Sequence, residues 1–593
     1  NPNLKNDDTQ REAVLEALHH KPLYLIQGPP GAGKTTVIVE LIRQLIKRHK
    51  DVNILVTSQS NLAVDNVLEK LDEINQKEEA DLLFMRLASE NTLEKESIRN
   101  AILPRTFENK LKNWVTETEL RAKSYFSEHF STQQKHKNLI EFYDFYSLLD
   151  KENDWNKFNN RLRMSQNYLK QLFENAKDFK EVKKIFEKEL GSEFLKLKNI
   201  QRDWFAFLGG VTVEDGKDRK KSMLNNGSTE IDFLTAMMLQ TNIMGATCIH
   251  IASSKYSKVN FRFDYVIMDE SSKASPAETL VPINMGQNII LIGDHNQLPP
   301  VVTREEAVKK NVKTELEDNG LDFEKAFGES LFEKLIKAFE ADESKQNYIK
   351  MLDIQYRMPK QVGSLISKYF YDSKLKNPET SIIPDYDKQK HHELTLKKDT
   401  SIIFFSTSQR ENPNDNDNKF NRQNKCNVQA IKELLEKLNT LYSDNLAKSK
   451  PFTIGIIAGY RGQVDLLKSS INLSQYSNFV QVETDESGKQ KKTNLIEINT
   501  VDKFQGAERD IIIYDIVRSS KGQSNIGFLD DYRRINVAFS RVKRLLVVVG
   551  DSEFLIKRAT LNQGGRFTEF KLQQIGQELQ EQGLVFNQLH EIF

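Results

Sequence analysis

From Leu23 onward, short apolar runs alternate with stretches whose apolar residues recur at helical spacing. "LYLIQG" leads into a helix beginning at Lys34, and "VNILVTS" into another beginning at Asn61. The pattern returns at "FDYVIMDE" (Phe263 to Glu270) and "NIILIGD" (Asn288 to Asp294). Strands alternating with helices predict a parallel sheet covered on both faces. Between them, residues 92–235 are rich in Lys, Glu, Asn, Phe and Leu, and "LIEFYDFYSLL" and "VKKIFEKELGSEFLKL" carry helical periodicity, which predicts a large helical insertion. A second block, 346–565, contains "SIIFFST", "FTIGIIAG", "NLIEINTV", "DIIIYDIVRS" and "RLLVVVGD" interleaved with helices. The expected organisation is α/β: a first domain split into 1–91 and 236–345 around the insertion, a second over 346–565, and a helical tail over 566–593. "DNGLD" and "ENPNDNDNK" read as turns, and "TDESGKQKKT" as an exposed loop or a hairpin tip.

Composition bounds this picture without redirecting it. A chain of 593 residues with 38% hydrophobic and 28% charged residues is long enough for more than one core. No apolar run approaches the roughly 18 residues of a membrane span. Cys248 and Cys426 stand far apart with no C-x-x-C or Cys/His cluster, so neither a disulfide framework nor a zinc site is expected and a reducing compartment fits. The expected location is the cytoplasm, or the nucleus of a eukaryote. A net charge of +1 neither supports nor excludes a polyanionic partner, because a basic channel can sit inside a balanced whole. The chain opens Asn-Pro without a charged start and apolar run, so no signal peptide is expected and the sequence reads as a piece of something longer.

The candidate chemistry begins with "GPPGAGKTT", Gly28 to Thr36. Gly28, Gly31, Gly33, Lys34 and Thr35 form G-x-x-x-x-G-K-T directly after an apolar strand and at the start of a helix, the context a phosphate loop requires. The loop Gly28, Pro29, Pro30, Gly31, Ala32 and Gly33, running into Lys34, Thr35 and Thr36, would surround phosphate oxygens with the backbone N–H groups of its non-proline residues, with Lys34 reaching the terminal phosphates and the Thr35 hydroxyl binding Mg²⁺. "VIMDE" ends a strand in two carboxylates: Asp269 for the metal and Glu270 as the general base that activates water. Gln297 in "GDHNQLPP" is an uncharged donor able to sense a γ-phosphate. ATP and Mg²⁺ are therefore the expected substrate and cofactor.

Taken in order, the motifs resemble those of superfamily 1 helicases of the Upf/senataxin-like group, from Gln10 to about Asp551. "NDDTQREAV" resembles the Q motif, "VTSQSNLAVDNV" motif Ia, "GATCIHIASS" motif Ic, "DESSKA" motif II, "GDHNQLPP" motif III, "QYRM" motif IV, "TVDKFQGAERD" motif V and "RRINVAFSRVK" motif VI. The resemblance implies two RecA-like P-loop NTPase domains in tandem, with the insertion as the accessory domain of the first, and 5′-to-3′ movement on single-stranded RNA or DNA. It makes Gln10 the reader of the adenine edge, Tyr356 the stacking partner of adenine, Arg357 and Arg541 arginine fingers, and Glu508 a ribose contact. Gln505 and Gly506 would lie near the phosphates. It assigns polymer contacts to Ser60, Asn61, Thr247, Thr500 and Val501, small polar groups and amides suited to phosphates and sugars.

Plainer alternatives stand beside several of these. Ser60 or Asn61 could simply cap the following helix. The basic run "GKDRKKS" (Gly216 to Ser222) is either a phosphate contact or a solvated surface. Lys273, Ser271 and His250 depart from the family pattern and put the details of coupling in question. A β-barrel upstream of the Q motif, carried by many members, is not expected in a chain that reaches Gln10 this early. A protein partner, if any, would use the insertion or a missing N-terminal region, and no membrane partner is expected. Rival readings are an ATP-driven clamp that grips nucleic acid without strand separation, a helicase module of a larger repair or defence protein, and an inactive scaffold. The intact Lys34, Asp269, Glu270, Gln297, Arg357 and Arg541 argue against the scaffold.

Overall fold

The protein is described from a computed structural model. It describes residues 7–19, 22–78, 82–88, 237–253, 261–301, 328–416, 421–443, 450–484, 490–519, 527–557 and 570–593, with Leu4, Lys448 and short pieces between 102 and 235. The chain forms two compact units: Asn1–Leu82, Asn242–Ala252 and Arg262–Phe593 make up one, Leu83–Thr241 and Ser253–Phe261 the other.

Numbered along the chain, the strands are β1 (Leu23–Gln27), β2 (Ile54–Ser58), β3 (Phe84–Arg86, in the second unit), β4 (Ile243–Thr247), β5 (Phe263–Met268), β6 (Gly286–Gly293), β7 (Ile349–Met351), β8 (Ile402–Ser406), β9 (Ile454–Ala458), β10 (Val480–Thr484), β11 (Gln490–Asn494), β12 (Ile496–Thr500), β13 (Arg509–Asp515), β14 (Val542–Gly550) and β15 (Val585–Phe586). Within the first unit they build two parallel sheets, ordered β4-β2-β5-β6-β1-β7 and β12-β9-β13-β14-β8-β15. Register is fixed by pairs such as Leu25↔Leu291 and Val56↔Ile267 in the first sheet, and Ile513↔Ile456 and Val548↔Phe404 in the second.

The strands read as unbroken apolar runs because both of their faces are covered. In the second sheet, Ile402 and Phe404 pack on one side with Leu546, Val548, Ile366 and Phe539, whereas Ile403 and Phe405 pack on the other with Val547, Ile456, Ile431 and Leu435. The helix Lys34–Arg48 buries Val37, Ile38, Leu41, Ile42 and Leu45, the i, i+3, i+4 stripe of a helix lying on a sheet.

Two expectations are changed. The second domain was expected from residue 346, yet Ile349–Met351 pairs with β1 of the first sheet; a three-residue strand is too short to show a period. The expected helical tail, 566–593, belongs to the second sheet: β15 pairs with β8, and Leu572, Ile575, Leu579 and Leu584 enter its core. Of "TDESGKQKKT", Thr484 ends β10 and Gln490–Thr493 lie on β11, paired antiparallel as the hairpin alternative expects; residues 485–489 lie outside the described residues. Most of the expected insertion, 92–235, including "GKDRKKS", lies outside the described residues, as does "DNGLD". What is described there includes a helix, Trp155–Met164.

Candidate active site between the two sheets

β1 ends at Gln27, and the chain turns through the glycine-rich loop into the helix at Lys34. Gly28 N–H donates to the Gly293 carbonyl (2.8 Å) at the end of β6. Gly31 and Gly33 have φ of 76° and 83°, the left-handed region that favours glycine. Space is also short: a Cβ on Gly31 would stand 2.7 Å from Arg357 Cβ, and one on Gly33 2.5 Å from Gln10 Nε2. No side chain caps the helix Lys34–Arg48, so its first N–H groups, which helix geometry leaves without intrahelical partners, serve the loop. Lys34 Nζ donates to the Gly28 carbonyl (3.0 Å) and pairs with Glu270 Oε1 (3.6 Å).

The acidic pair follows β5. Asp269 is buried, and burial, reinforced by the neighbouring Glu270 charge, pushes its carboxyl up to about 7. Burial also acts against the Glu270 charge, but Lys34, Arg541 and Lys273 outweigh it and hold that carboxyl below its ordinary value. The two groups are thus driven apart, as an acid–base assignment needs. Lys273, which departs from the family pattern, adds to the field that keeps Glu270 ionised. Glu270 also has φ of 52°, a costly conformation for a residue with a Cβ. Ser271 secures the turn, its N–H and hydroxyl both donating to the Ile292 carbonyl (2.9 Å each).

The second domain supplies the opposite wall. Tyr356 N–H donates to the Gly31 carbonyl (2.9 Å), just after Leu352 N–H donates to that of Gln27 (2.9 Å). The Tyr356 hydroxyl donates to Asp7 Oδ2 (2.6 Å), and Asp7 Oδ1 accepts from Gln10 N–H (3.0 Å). Gln10 gives its amide nitrogen to the Ala32 carbonyl (2.9 Å), so that end is bound to the phosphate loop. Arg357 is paired with Glu508 and donates to the Ser540 carbonyl (3.1 Å). Lys543 also pairs with Glu508 (3.3 Å). Burial works against the Glu508 charge, but Arg357 and Lys543 prevail and hold its carboxyl down to about 2. Arg541 is buried and donates to Gln297 Oε1 (3.0 Å) and the Val537 carbonyl (3.0 Å). Burial and the nearby Arg357 charge lower its guanidinium to about 9. Gln505 has both ends of its amide buried without a hydrogen-bond partner, while Gly506 is exposed with φ of 86°.

Around this wall lie residues that the motif reading did not single out. Asp294 Oδ2 accepts from Gln297 Nε2 (2.7 Å) and from the Tyr371 hydroxyl (2.5 Å). Asn536 Nδ2 donates to the Tyr371 oxygen (2.8 Å) and the Asn296 carbonyl (2.8 Å). Arg533 pairs with the buried Glu333 (2.7 Å). Asp294 and Asn536 stand inside motifs already quoted, three residues before Gln297 and five before Arg541; Tyr371, in "YFYDSKL", carries no motif signal.

The polymer candidates are placed differently. Ser60 Oγ accepts from Ala63 N–H (3.2 Å), and Thr247 Oγ1 accepts from His250 N–H (3.3 Å), so both cap helices. Thr500 precedes the helix Val501–Phe504 with no side-chain cap bond, and the Val501 side chain is buried, which leaves its backbone for any outside contact. Asn61 begins the helix Asn61–Glu78. These groups sit at or just beyond the carboxyl ends of β2, β4 and β12.

Comparison with known proteins agrees with this geometry. AAA-domain family models match residues 5–305 and 327–553. An uncharacterized ATP-dependent helicase of Methanocaldococcus jannaschii is 29% identical over 94% of this chain and 69% of its own. DNA polymerase alpha-associated DNA helicase A of Saccharomyces cerevisiae is 28% identical over 94% of this chain and 66% of its own. The regulator of nonsense transcripts 1 homolog of Drosophila melanogaster is 27% identical over 94% of this chain, which spans 35% of that protein. With two parallel sheets facing one phosphate loop, the chain belongs to the superfamily 1 helicases of the Upf/senataxin-like group, ATP-hydrolysing enzymes built from tandem RecA-like domains.

Proposed function

We propose that the protein hydrolyses Mg·ATP in the cleft between its two RecA-like domains and uses the cycle to move 5′ to 3′ along single-stranded RNA or DNA. The observation that carries this reading is the 3.0 Å bond from Arg541 of the second domain to Gln297 of the first, which joins the arginine and sensor sides of one nucleotide site. Glu270, held ionised, accepts the proton of the attacking water; Lys34, Arg357 and Arg541 oppose the charge that spreads over the phosphoryl oxygens. Arg357 acts after exchanging Glu508 for phosphate, and Glu508 is then free to take a ribose hydroxyl. The unpaired Gln505 amide is a buried polar group awaiting a partner. The Thr35 hydroxyl and Asp269 carboxylate are hard oxygen donors that fit Mg²⁺, and a cation there would return the Asp269 carboxyl to its ionised form. Bound with ATP, the ion neutralises charge on the phosphate oxygens.

Ser60, Asn61, Thr247, Thr500 and Val501 carry the polymer through sugar and phosphate contacts, compatible with their capping bonds and indifferent to sequence. One relative's name specifies DNA and another's nonsense transcripts, so both polymers belong in the test. Among the described residues no helix is long and apolar enough to cross a membrane, in keeping with work in the cytoplasm or nucleus. The test is ATP turnover with single-stranded RNA and DNA side by side, repeated with Glu270→Gln, followed by displacement of a strand annealed beside a 5′ single-stranded tail. Stimulation by either polymer with displacement is expected. Stimulation without displacement would turn the motor into a clamp, and no stimulation by either polymer would end the translocase reading.

A further inference from the structure

Glu508 already answers two cations: its Oε1 pairs with Arg357 and its Oε2 with Lys543 (3.3 Å). A third cation stands beside them. Lys390 follows the short helix Tyr386–Gln389, and the bonds on either side of it set it next to this group. The Tyr386 hydroxyl donates to the Met358 carbonyl (2.7 Å), one residue past Arg357. The His391 carbonyl accepts from Arg544, one residue past Lys543.

Lys390 is half-buried, with Nζ 5.4 Å from the centroid of the Tyr386 ring, a contact that holds an ammonium without neutralising it. Among the described residues no ion pair joins it to a carboxylate. Burial, followed by the Lys543 charge, lowers its ammonium to about 8; Arg544 and Arg357 add to the lowering, and Glu508 opposes it. Arg544 has Asp510 (3.3 Å) as its own partner. What remains is Arg357, Lys390 and Lys543 around one carboxylate. Like charges gathered partly out of water disfavour one another until an anion joins them. A solvated lysine would turn away from its neighbours, whereas the Tyr386 ring keeps this one among them.

We propose that Lys390 is a nucleotide-binding residue whose ammonium meets the phosphate next to the ribose. With Glu508 on a ribose hydroxyl and Arg357 on the γ-phosphate, the phosphate chain runs between the two, and Lys390 stands beside both. Lys34, Arg357 and Arg541 hold the terminal end of that chain; Lys390 supplies the opposing charge at the ribose end. The inference rests on the nucleotide lying as proposed.

The experiment is calorimetric titration of the whole chain in Mg²⁺ with ADP and with a non-hydrolysable ATP analogue, for the wild type, Lys390→Met and Lys390→Arg, beside steady-state ATP hydrolysis with and without poly(U) or poly(dT). Lys390→Met keeps an apolar stem on the Tyr386 ring and drops the charge, so Kd should rise about tenfold for both nucleotides. The loss in turnover should appear in KM and not in kcat, as for an interaction equally strong before and during reaction. Lys390→Arg, which keeps the charge, should stay within about threefold of wild type. Unchanged Kd values in Lys390→Met, a loss with the ATP analogue alone, or Lys390→Arg as weak as Lys390→Met would overturn the inference. Lack of polymer stimulation would overturn the motor, while the Kd ratios still judged Lys390. A wild type that binds neither nucleotide would overturn the nucleotide site and this inference with it.

Discussion

The two sheets are alike in their parallel pairing and differ in which edge they turn to the nucleotide site. In the first, Gln27, Met268 and Gly293 are the last residues of β1, β5 and β6, and the phosphate loop, acidic pair and Gln297 turn follow directly. In the second, Arg509 and Val542 are the first residues of β13 and β14, and Glu508 and Arg541 precede them directly. The carboxyl edge of the second sheet is closed by side chains: Asp515 accepts from Asn427 (2.7 Å) and Gln463 (2.6 Å), and Asp551 accepts from Ser408 (2.7 Å) and Ser519 (2.6 Å). One edge keeps glycine backbone for a ligand, and its counterpart fills the same space with internal hydrogen bonds. Ligands in open α/β folds gather at carboxyl strand ends; at the nucleotide site that rule serves the first domain, and the second contributes its amino edge.

If the amino edge of the second sheet completes the site, Arg541→Ala should fold normally and lose about 10³- to 10⁵-fold in turnover, the range of other arginine fingers; phosphate release at saturating polymer measures it. Near-normal hydrolysis in both Arg541→Ala and Arg357→Ala would remove the second sheet from the chemistry. Glu270→Gln, on the open carboxyl edge, should cost about 10²- to 10⁴-fold with nucleotide binding retained, read as kcat against the Kd of a non-hydrolysable analogue. Gly31→Ala tests whether that edge must remain bare backbone. Its φ of 76° and the 2.7 Å approach of Arg357 predict a loss of nucleotide affinity of about tenfold, corresponding to roughly 1–2 kcal/mol, measured by titration.

The closed edge makes a pH prediction. Burial raises the Asp515 carboxyl to about 6 against hydrogen bonds that lower it. A group whose folded value is raised contributes stability that is fully present below its unfolded value near 4 and is lost as pH rises through about 6. Between those limits the wild type should lose roughly 1–3 kcal/mol, and Asp515→Asn should flatten the slope in urea titrations across that window. A slope unchanged by the substitution would place the titration elsewhere. The smallest effect is expected from Ser60→Ala: about 1 kcal/mol of stability for the lost cap. A weakened polymer Kd alongside it would give Ser60 its second role, and an unchanged Kd would leave it a cap.

Much of this was legible in the chain because buried parallel strands write themselves as apolar runs, and because a phosphate loop requires glycine, lysine and threonine at set places. The strands at "FTIGIIAG" and "RLLVVVGD" and the loop at "GPPGAGKTT" lie where those patterns put them. Ile349–Met351 and Val585–Phe586 were not legible as strands; at three and two residues they are held by their neighbours in the sheet, not by a period of their own. Tyr371 escaped for another reason. Its hydrogen bonds reach Asp294 across 77 residues and Asn536 across 165, and no local spacing encodes such a meeting. The partner choices of Gln10 and Gln297 were equally hidden, since a carboxamide's residue type does not say which end it has already given away.

The segment joining the domains is bound by its main chain to the phosphate loop, through Leu352 to Gln27 and Tyr356 to Gly31. Across the cleft, Arg541 to Gln297 and Asn536 to the Asn296 carbonyl are side-chain bonds. The cleft is therefore joined by main chain on the side where Gln10 and Tyr356 stand and by side chains where Gln297 and Arg541 meet, a hinge and a latch. If the nucleotide lies as proposed, such a cleft would open from its latch, giving inorganic phosphate a way out while the nucleoside end is still held, with ADP leaving second.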